Sequence, residues 1–131
     1  MREYLTDYHK QHILLSIVLP SVLNSIRADQ VKIEHLSLKF HEYYLQLIED
    51  LARMIAIDIK SEANYVKGAF ITISDVNMSG RGISCRAKYK GSYYNLSFDR
   101  EQVKSAVDGY LRAKRITTST HHSSYVNRFS D

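Results

Sequence analysis

The feature that most constrains this chain is a stretch from Ile83 to Phe98 in which apolar and polar side chains alternate. A period of two is the pattern of a half-buried β-strand, and Gly91 lies at its middle, where a turn can reverse the chain. We therefore predict a β-hairpin with Gly91-Ser92 as its two-residue loop. In that register Lys90 lies opposite Tyr93.

The alternation assigns each strand residue to one of two faces. The apolar face carries Cys85, Ala87, Tyr89, Tyr94, Leu96 and Phe98. The opposite face carries Arg86, Lys88, Lys90, Tyr93, Asn95 and Ser97. A slip of one residue would turn lysines into the core, so the pattern itself selects the faces. Three cations then follow one another at spacings of about 7 Å, and they repel unless an anion or water covers them.

The positive charge of the chain is concentrated around this hairpin. Residues 1–80 hold eight Lys and Arg against ten Asp and Glu, whereas residues 81–116 hold nine against three. The net charge of +4 therefore comes from the hairpin and the segment after it. Such a concentration favours an anionic partner.

The N-terminal half predicts a pair of helices. Apolar residues recur at the helical period from about Thr6 to Arg27, and Pro20 should kink the helix or break it, leaving a short helix from Ser21 to Arg27. After a polar connection at residues 28–30, a long helix should run from about Ile33 to Tyr65. At roughly 45 Å it either breaks near Asp58, packs outside its own domain as a dimer interface, or forms an ordinary antiparallel helix pair.

The remaining elements complete an α+β fold. Ala69 to Val76 reads as a strand, followed by a Gly-rich loop at residues 77–82 that is either a tight turn or a phosphate cradle beside Arg81. Asp99 and Gln102 form a capping box that starts a last helix. We predict an N-terminal helical hairpin, a three-stranded antiparallel meander, a C-terminal helix and a disordered tail. The domain should cover residues 1–116 and the flexible tail residues 117–131.

The order helix, strand, strand, strand, helix, from about Ile33 to Ile116, resembles that of a double-stranded-RNA-binding domain in topology. That family carries a lysine cluster at the start of its final helix. This chain has DREQVK there, with Lys104 as its one lysine. No binding residue is carried over from the resemblance, which therefore concerns the fold.

Motifs for catalysis, metals and membranes are missing from the sequence. No nucleophile motif occurs, so we expect a protein that is not an enzyme and needs no cofactor. His9 and His12 lie three residues apart, a spacing that metal sites in helical bundles use, and His35 and His41 flank the start of the long helix. Because no Glu-x-x-His or His-Glu-x-x-His pattern accompanies them, we expect no metal. The single cysteine, Cys85, falls on the apolar face and indicates a buried thiol in a reducing, cytoplasmic setting. No apolar run reaches the ~20 residues of a membrane span.

These observations lead to one functional hypothesis and one alternative. The hypothesis is a binding module for an anionic partner, with nucleic acid first among them, because cations and an exposed aromatic ring suit phosphates and bases. The residues expected to make the contacts are Arg81, Arg86, Lys88, Lys90, Tyr93 and Arg100, with the basic residues from Arg112 to Arg115 at the edge. The alternative is a protein-interaction or regulatory module that acts through the long helix as a homodimer, its basic face meeting an acidic protein.

Overall fold

The computed structural model describes residues 4–129, and for residues 115–129 it describes the backbone alone. The elements in chain order are α1 (Asp7–Glu34), α2 (His41–Gly68), β1 (Ile71–Ser79), β2 (Gly82–Tyr89), β3 (Ser92–Asp99) and α3 (Arg100–Phe129). The predicted α+β class, helical hairpin, three-stranded meander and C-terminal helix are confirmed. The backbone of residues 117–129 continues α3, whereas their side chains and residues 130–131 lie outside this description, so the flexible tail predicted for residues 117–131 stays a prediction.

Helix α1 begins with a reciprocal cap. The Thr6 hydroxyl accepts the His9 N–H at 3.1 Å, and the His9 ring accepts the Thr6 N–H at 3.1 Å. The helix then continues through Pro20 over 28 residues as one element. The separate short helix that a break at Pro20 would leave is therefore not formed. The side chains just before the proline, Val18 and Leu19, are buried, and Val22, Leu23 and Ile26 after it are partly buried, so the helix is packed on both sides of Pro20.

The connection between the first two helices lies later than predicted. Residues 28–30 are helical, and the chain turns at residues 35–40 instead. Polarity alone does not end a helix, and Gln30 uses its side chain to bond Glu49 of α2 at 3.0 Å. The end of α1 is closed by His41, whose ring N–H donates to the Ile33 carbonyl at 3.0 Å. Helix α2 then runs unbroken for 28 residues, without the break considered near Asp58.

The β2–β3 turn is formed by Lys90 and Gly91, one position earlier than predicted. Their φ angles are 53° and 81°, and two successive positive values characterise the type I′ turn that suits a two-residue hairpin. As a result Lys88, rather than Lys90, lies opposite Tyr93. The correction changes every pair and moves Lys90 into the turn, but the residues that stay in the strands keep their faces, because the register shifts by two residues.

Strand β1 pairs with β2 alone and is irregular at its middle. The ladder shifts between Ser74 and Asn77, and Asp75 adopts a positive φ of 53°. This is the geometry of a β-bulge, which bends the strand. The β1–β2 turn follows at residues 80–81.

The core lies between the apolar face of the sheet and the helices. Buried and exposed residues alternate strictly along β2, with Ala87 fully buried. Helix α1 contributes Ile13, Leu14 and Val18 to the same cluster. The predicted apolar face is thus confirmed, and the opposite face of β2, which carries the basic residues, stays exposed.

Candidate functional site

The exposed face of the sheet brings two cations to one aromatic ring. The guanidinium carbon of Arg86 lies 4.3 Å, and the ammonium of Lys88 5.5 Å, from the centre of the Tyr93 ring. Strand β2 presents both cations because they are two residues apart, and β3 presents Tyr93 directly opposite Lys88. We call Arg86, Lys88 and Tyr93 the basic patch. Tyr93 is 57% exposed, so the patch is open to solvent.

The charges of the basic patch are not engaged in ion pairs within the described part of the chain. Neither Arg86 nor Lys88 forms an ion pair with any side chain that the structure describes. Contact with the ring offsets some of their mutual repulsion, at about 0.5–1 kcal/mol for an exposed cation–π pair. A guanidinium has five N–H donors and the ring accepts none in a conventional hydrogen bond, so Arg86 can still bind an anion.

A shallow depression of about 390 Å³ adjoins Arg86 on the sheet. Its polar lining comes from Ser84, Asn95 and Ser97, with Asp75 at the bulge of β1. Hydroxyl and amide groups can donate hydrogen bonds to phosphate oxygens, as they do in many phosphate contacts. The sequence analysis placed Asn95 and Ser97 on this face but did not assign them a role. The only sequence feature that indicated their place on the exposed face was their alternation with the apolar residues of β3.

The structure gathers three of the six predicted site residues and leaves three apart. Lys90 lies in the turn, and its ammonium is 5.8 Å from the ring of Tyr89, a residue buried on the helix-covered side of the sheet. Arg81 and Arg100 flank the paired residues Gly82 and Asp99 at the other end of the hairpin. Eight strand residues at about 3.3 Å each separate the two ends by more than 20 Å.

The chain turns at residues 80–81, and the Arg81 N–H donates to the Ser79 hydroxyl at 3.2 Å. One amide of the considered phosphate cradle is therefore engaged within the turn, and the cradle itself stays a prediction. Arg100 is the first residue of α3, beside the cap in which Asp99 and Gln102 exchange two 2.8 Å hydrogen bonds. The predicted capping box is confirmed.

The two histidines of α1 have structural contacts: His9 caps the helix, and His12 packs against α2. His12 contacts the Glu62 carboxylate at 2.5 Å and stacks on the Tyr65 ring with the ring centres 3.8 Å apart. Burial raises the pKa of the Tyr65 phenol. The described residues contain no group of three His, Cys, Asp or Glu side chains that could hold a metal ion.

Cys85 and the helices give two further observations. The Cys85 thiol is buried on the apolar face, and burial raises its pKa, so a thiol rather than a thiolate is present at neutral pH.

Among the described helices, none combines the length and the apolar character needed to cross a bilayer.

Fold and site together define a small α+β protein in which a helical hairpin and a C-terminal helix support a three-stranded sheet with a basic, aromatic outer face. The chain belongs to the YhjD protein family, whose model matches residues 4–115. That match covers all three strands and the described side chains of α3. The comparisons with curated proteins and with solved structures give no match.

Proposed function

We propose that this protein is a non-enzymatic binding module for an anionic partner, and that the partner is nucleic acid bound through the basic patch. The observation that supports this most directly is the pair Arg86 and Lys88, which share the Tyr93 ring and have no acidic partner among the described side chains. We also propose a cytoplasmic location, in keeping with the free thiol of Cys85.

The chemistry of the patch favours a single strand over a duplex. An exposed tyrosine ring beside a guanidinium offers flat surface on which a nucleobase can stack, worth about 1–3 kcal/mol per base. Such stacking requires an unpaired base, whereas the bases of a duplex are already stacked on each other. Arg86 and Lys88 then contact the adjacent phosphates, and the hydroxyls of Ser84 and Ser97 lie beside them.

The size of the patch predicts weak binding with a small salt dependence. Each phosphate neutralised on a single strand contributes about −0.7 to the slope of log K against log salt concentration. Two cations therefore account for a slope of about −1.4. A larger slope would mean that Arg81, Arg100 or the cluster from Arg112 to Arg115 also takes part.

The test is a binding titration of fluorescent single-stranded and duplex DNA and RNA of equal length at several salt concentrations. The variant is Arg86→Glu with Lys88→Glu, and its matched control is Lys39→Glu with Lys60→Glu, which changes the net charge equally on exposed residues away from the sheet. The control should retain binding. The patch variant should lose affinity, and its slope of log K against log salt concentration should no longer show the contribution of about −1.4.

Equal binding by the two charge-reversed proteins would contradict the proposal, because net charge alone would then explain the affinity. Tyr93→Ala separates stacking from charge. It should weaken single-strand binding by about tenfold, equivalent to ~1.4 kcal/mol, with the salt slope unchanged.

The alternative of a protein-interaction module acting through the long helix has less support. Among the described residues, Ile57 is the single large apolar side chain of α2 that is strongly exposed, at 63%. One exposed isoleucine is normal for a surface helix. The other exposed apolar side chains lie outside α2: Leu36, Leu38 and Phe40 are in the connection before it, and Phe70 after it is 78% exposed.

A further inference from the structure

The outer edge of β1 is an unpaired strand edge with an exposed phenylalanine beside its first residues. The sheet order β1-β2-β3 gives β1 one neighbour, so its second row of N–H and C=O groups has no strand partner in the described chain. Phe70, just before the strand, is 78% exposed. It borders a groove of about 570 Å³ whose apolar lining includes Val66, Ile71 and Ile73. Natural proteins usually cover or charge such an edge.

Phe70 is held in this exposed position by its backbone. Its φ is 60°, a left-handed value that is rare for a bulky side chain and costs about 1–2 kcal/mol. Its N–H closes the end of α2 by donating to the Lys67 carbonyl at 3.0 Å. A strained aromatic residue that contacts solvent contributes little to the stability of one chain, which suggests that its ring is buried in an assembly.

The other edge of the sheet differs in what lies beside it. The inward side chains of β3, Leu96 and Phe98, are each 8% exposed, and residues of α3 such as Val103 pack against their cluster. An incoming strand at β3 would therefore find no open apolar surface on the helix side. Pairing of β1 with the β3 edge of another copy would also build an open filament rather than a closed dimer.

We propose that β1 pairs antiparallel with β1 of a second copy, through residues 70–74, about a two-fold axis at Thr72. Antiparallel pairing about that residue places Ile71 opposite the partner's Ile73, and Ile73 opposite the partner's Ile71. The apolar side chains of the two grooves then meet each other on the helix side. Residues 70–74 contain no charge, so no like charges face each other along the paired strands, and Lys67 is the one charged residue that lines the groove.

The bulge limits the pairing to these residues. At Asp75 the strand bends through its positive φ, which moves residues 75–79 away from the line of the edge. A short edge with two phenylalanines lies at the small end of specific interfaces, below about 1,200 Å² in total. We therefore expect a concentration-dependent dimer rather than an obligate one.

The dimer has a consequence that rests on the proposed function. Thr72 pairs with Lys88 of β2, so the two copies of Lys88 are three strand spacings apart, about 14 Å. The six-stranded sheet would then present two basic patches on one continuous face, and one nucleic-acid strand could contact both. Dimerisation itself does not depend on any nucleic acid.

The test is sedimentation equilibrium of the full chain without nucleic acid, from about 1 to about 200 µM, which brackets a dissociation constant on the order of 10 µM. Thr72→Lys places two ammonium groups opposite each other at the axis, and Thr72→Asp places two carboxylates there. Each variant alone should dimerise about fivefold more weakly than the wild type. An equimolar mixture of the two should return to within about threefold of the wild type, because lysine then faces aspartate.

Controls separate this interface from the others. Phe70→Asn keeps a residue that tolerates positive φ while removing the ring, and should weaken the dimer. Ser92→Lys on β3 and Ile57→Ser on α2 should leave it intact. A wild-type monomer at 200 µM, or a dimer lost in Ile57→Ser and kept in Thr72→Lys, would overturn the proposal. Nucleic-acid binding by a strict monomer would refute the dimer alone, whereas a dimer without binding would refute the proposed function alone.

Discussion

The hydroxyl of Tyr110 on α3 donates a 2.5 Å hydrogen bond to the carboxylate of Asp58 on α2. The ammonium of Lys114, one turn further along α3, lies 2.8 Å from the same carboxylate oxygen. Burial, followed by the bond to Asp58, raises the pKa of the Tyr110 phenol, so its proton is present throughout the neutral range. This polar cluster ties the C-terminal helix to the helical hairpin on the side away from the basic patch.

The first prediction concerns the hydrogen bond between Tyr110 and Asp58. Tyr110→Phe removes the donor and leaves the half-buried carboxylate with Lys114 alone, which should lower the free energy of unfolding by about 1.5 kcal/mol. Urea denaturation followed by circular dichroism measures the change. Tyr4→Phe, at a tyrosine that is 60% exposed, is the control and should stay within about 0.5 kcal/mol of the wild type. Equal effects at the two positions would show that the bond contributes nothing to stability.

The second prediction concerns Gly82, at the start of β2. A Cβ at this position would lie 2.1 Å from the Phe98 carbonyl oxygen, and the φ of +145° is one that other residues rarely adopt. Because the obstacle is backbone, Gly82→Ala should cost about 3 kcal/mol or prevent folding. Gly80→Ala, where nothing lies within 4 Å, should cost less than about 1 kcal/mol. Thermal unfolding of both variants measures these costs. A Gly82→Ala protein as stable as Gly80→Ala would contradict the short distance between position 82 and the Phe98 carbonyl oxygen.

The third prediction concerns the pH dependence of the contact between α1 and α2. Hydrogen bonds from Gln30 and then from Arg27 lower the pKa of Glu49 from 4.5 to about 2. A carboxyl whose pKa is lower in the folded state stabilises the fold above its unfolded value, and loses that contribution as the pH falls through the folded one. The wild type should therefore lose stability relative to Glu49→Gln between about pH 4.5 and pH 2. Carbon-detected NMR titration of Glu49 should show a midpoint near 2, and a midpoint above 4 would contradict the predicted contacts.

The parts of the fold that could be predicted from the sequence depend on patterns of side-chain burial. Alternation along β2 and β3 identified both faces of the hairpin correctly, because a half-buried sheet demands that period. The capping box of Asp99 and Gln102 was also correct, since it is a local motif that needs only four consecutive residues. Arg86, Lys88 and Tyr93 were placed on one face for the same reason.

The parts that were wrong depend on backbone conformation and on contacts far apart in the chain. The turn was placed at Gly91-Ser92 so that it would start with the glycine, yet the type I′ turn starts with Lys90 at positive φ. The end of α1 depends on His41, which donates to a carbonyl eight residues away. The exposed Phe70 could not be recognised, because its strained φ has no sequence signature.

The last prediction joins the turn to the proposed site. Lys90 adopts a φ of 53° at the first position of a type I′ turn, where asparagine is favoured and lysine is not. Lys90→Asn should therefore raise the free energy of unfolding by about 0.5–1 kcal/mol. The same change at Lys88, in the middle of β2, should lower the free energy of unfolding or leave it unchanged, because asparagine is a poor strand residue.

The two variants should also differ in nucleic-acid binding. The salt slope should fall by about 0.7 for Lys88→Asn, whose ammonium lies over Tyr93. For Lys90→Asn it should keep its wild-type value, because that ammonium lies beside Tyr89. A larger loss of slope at Lys90 than at Lys88 would move the binding surface from the centre of the sheet to the turn.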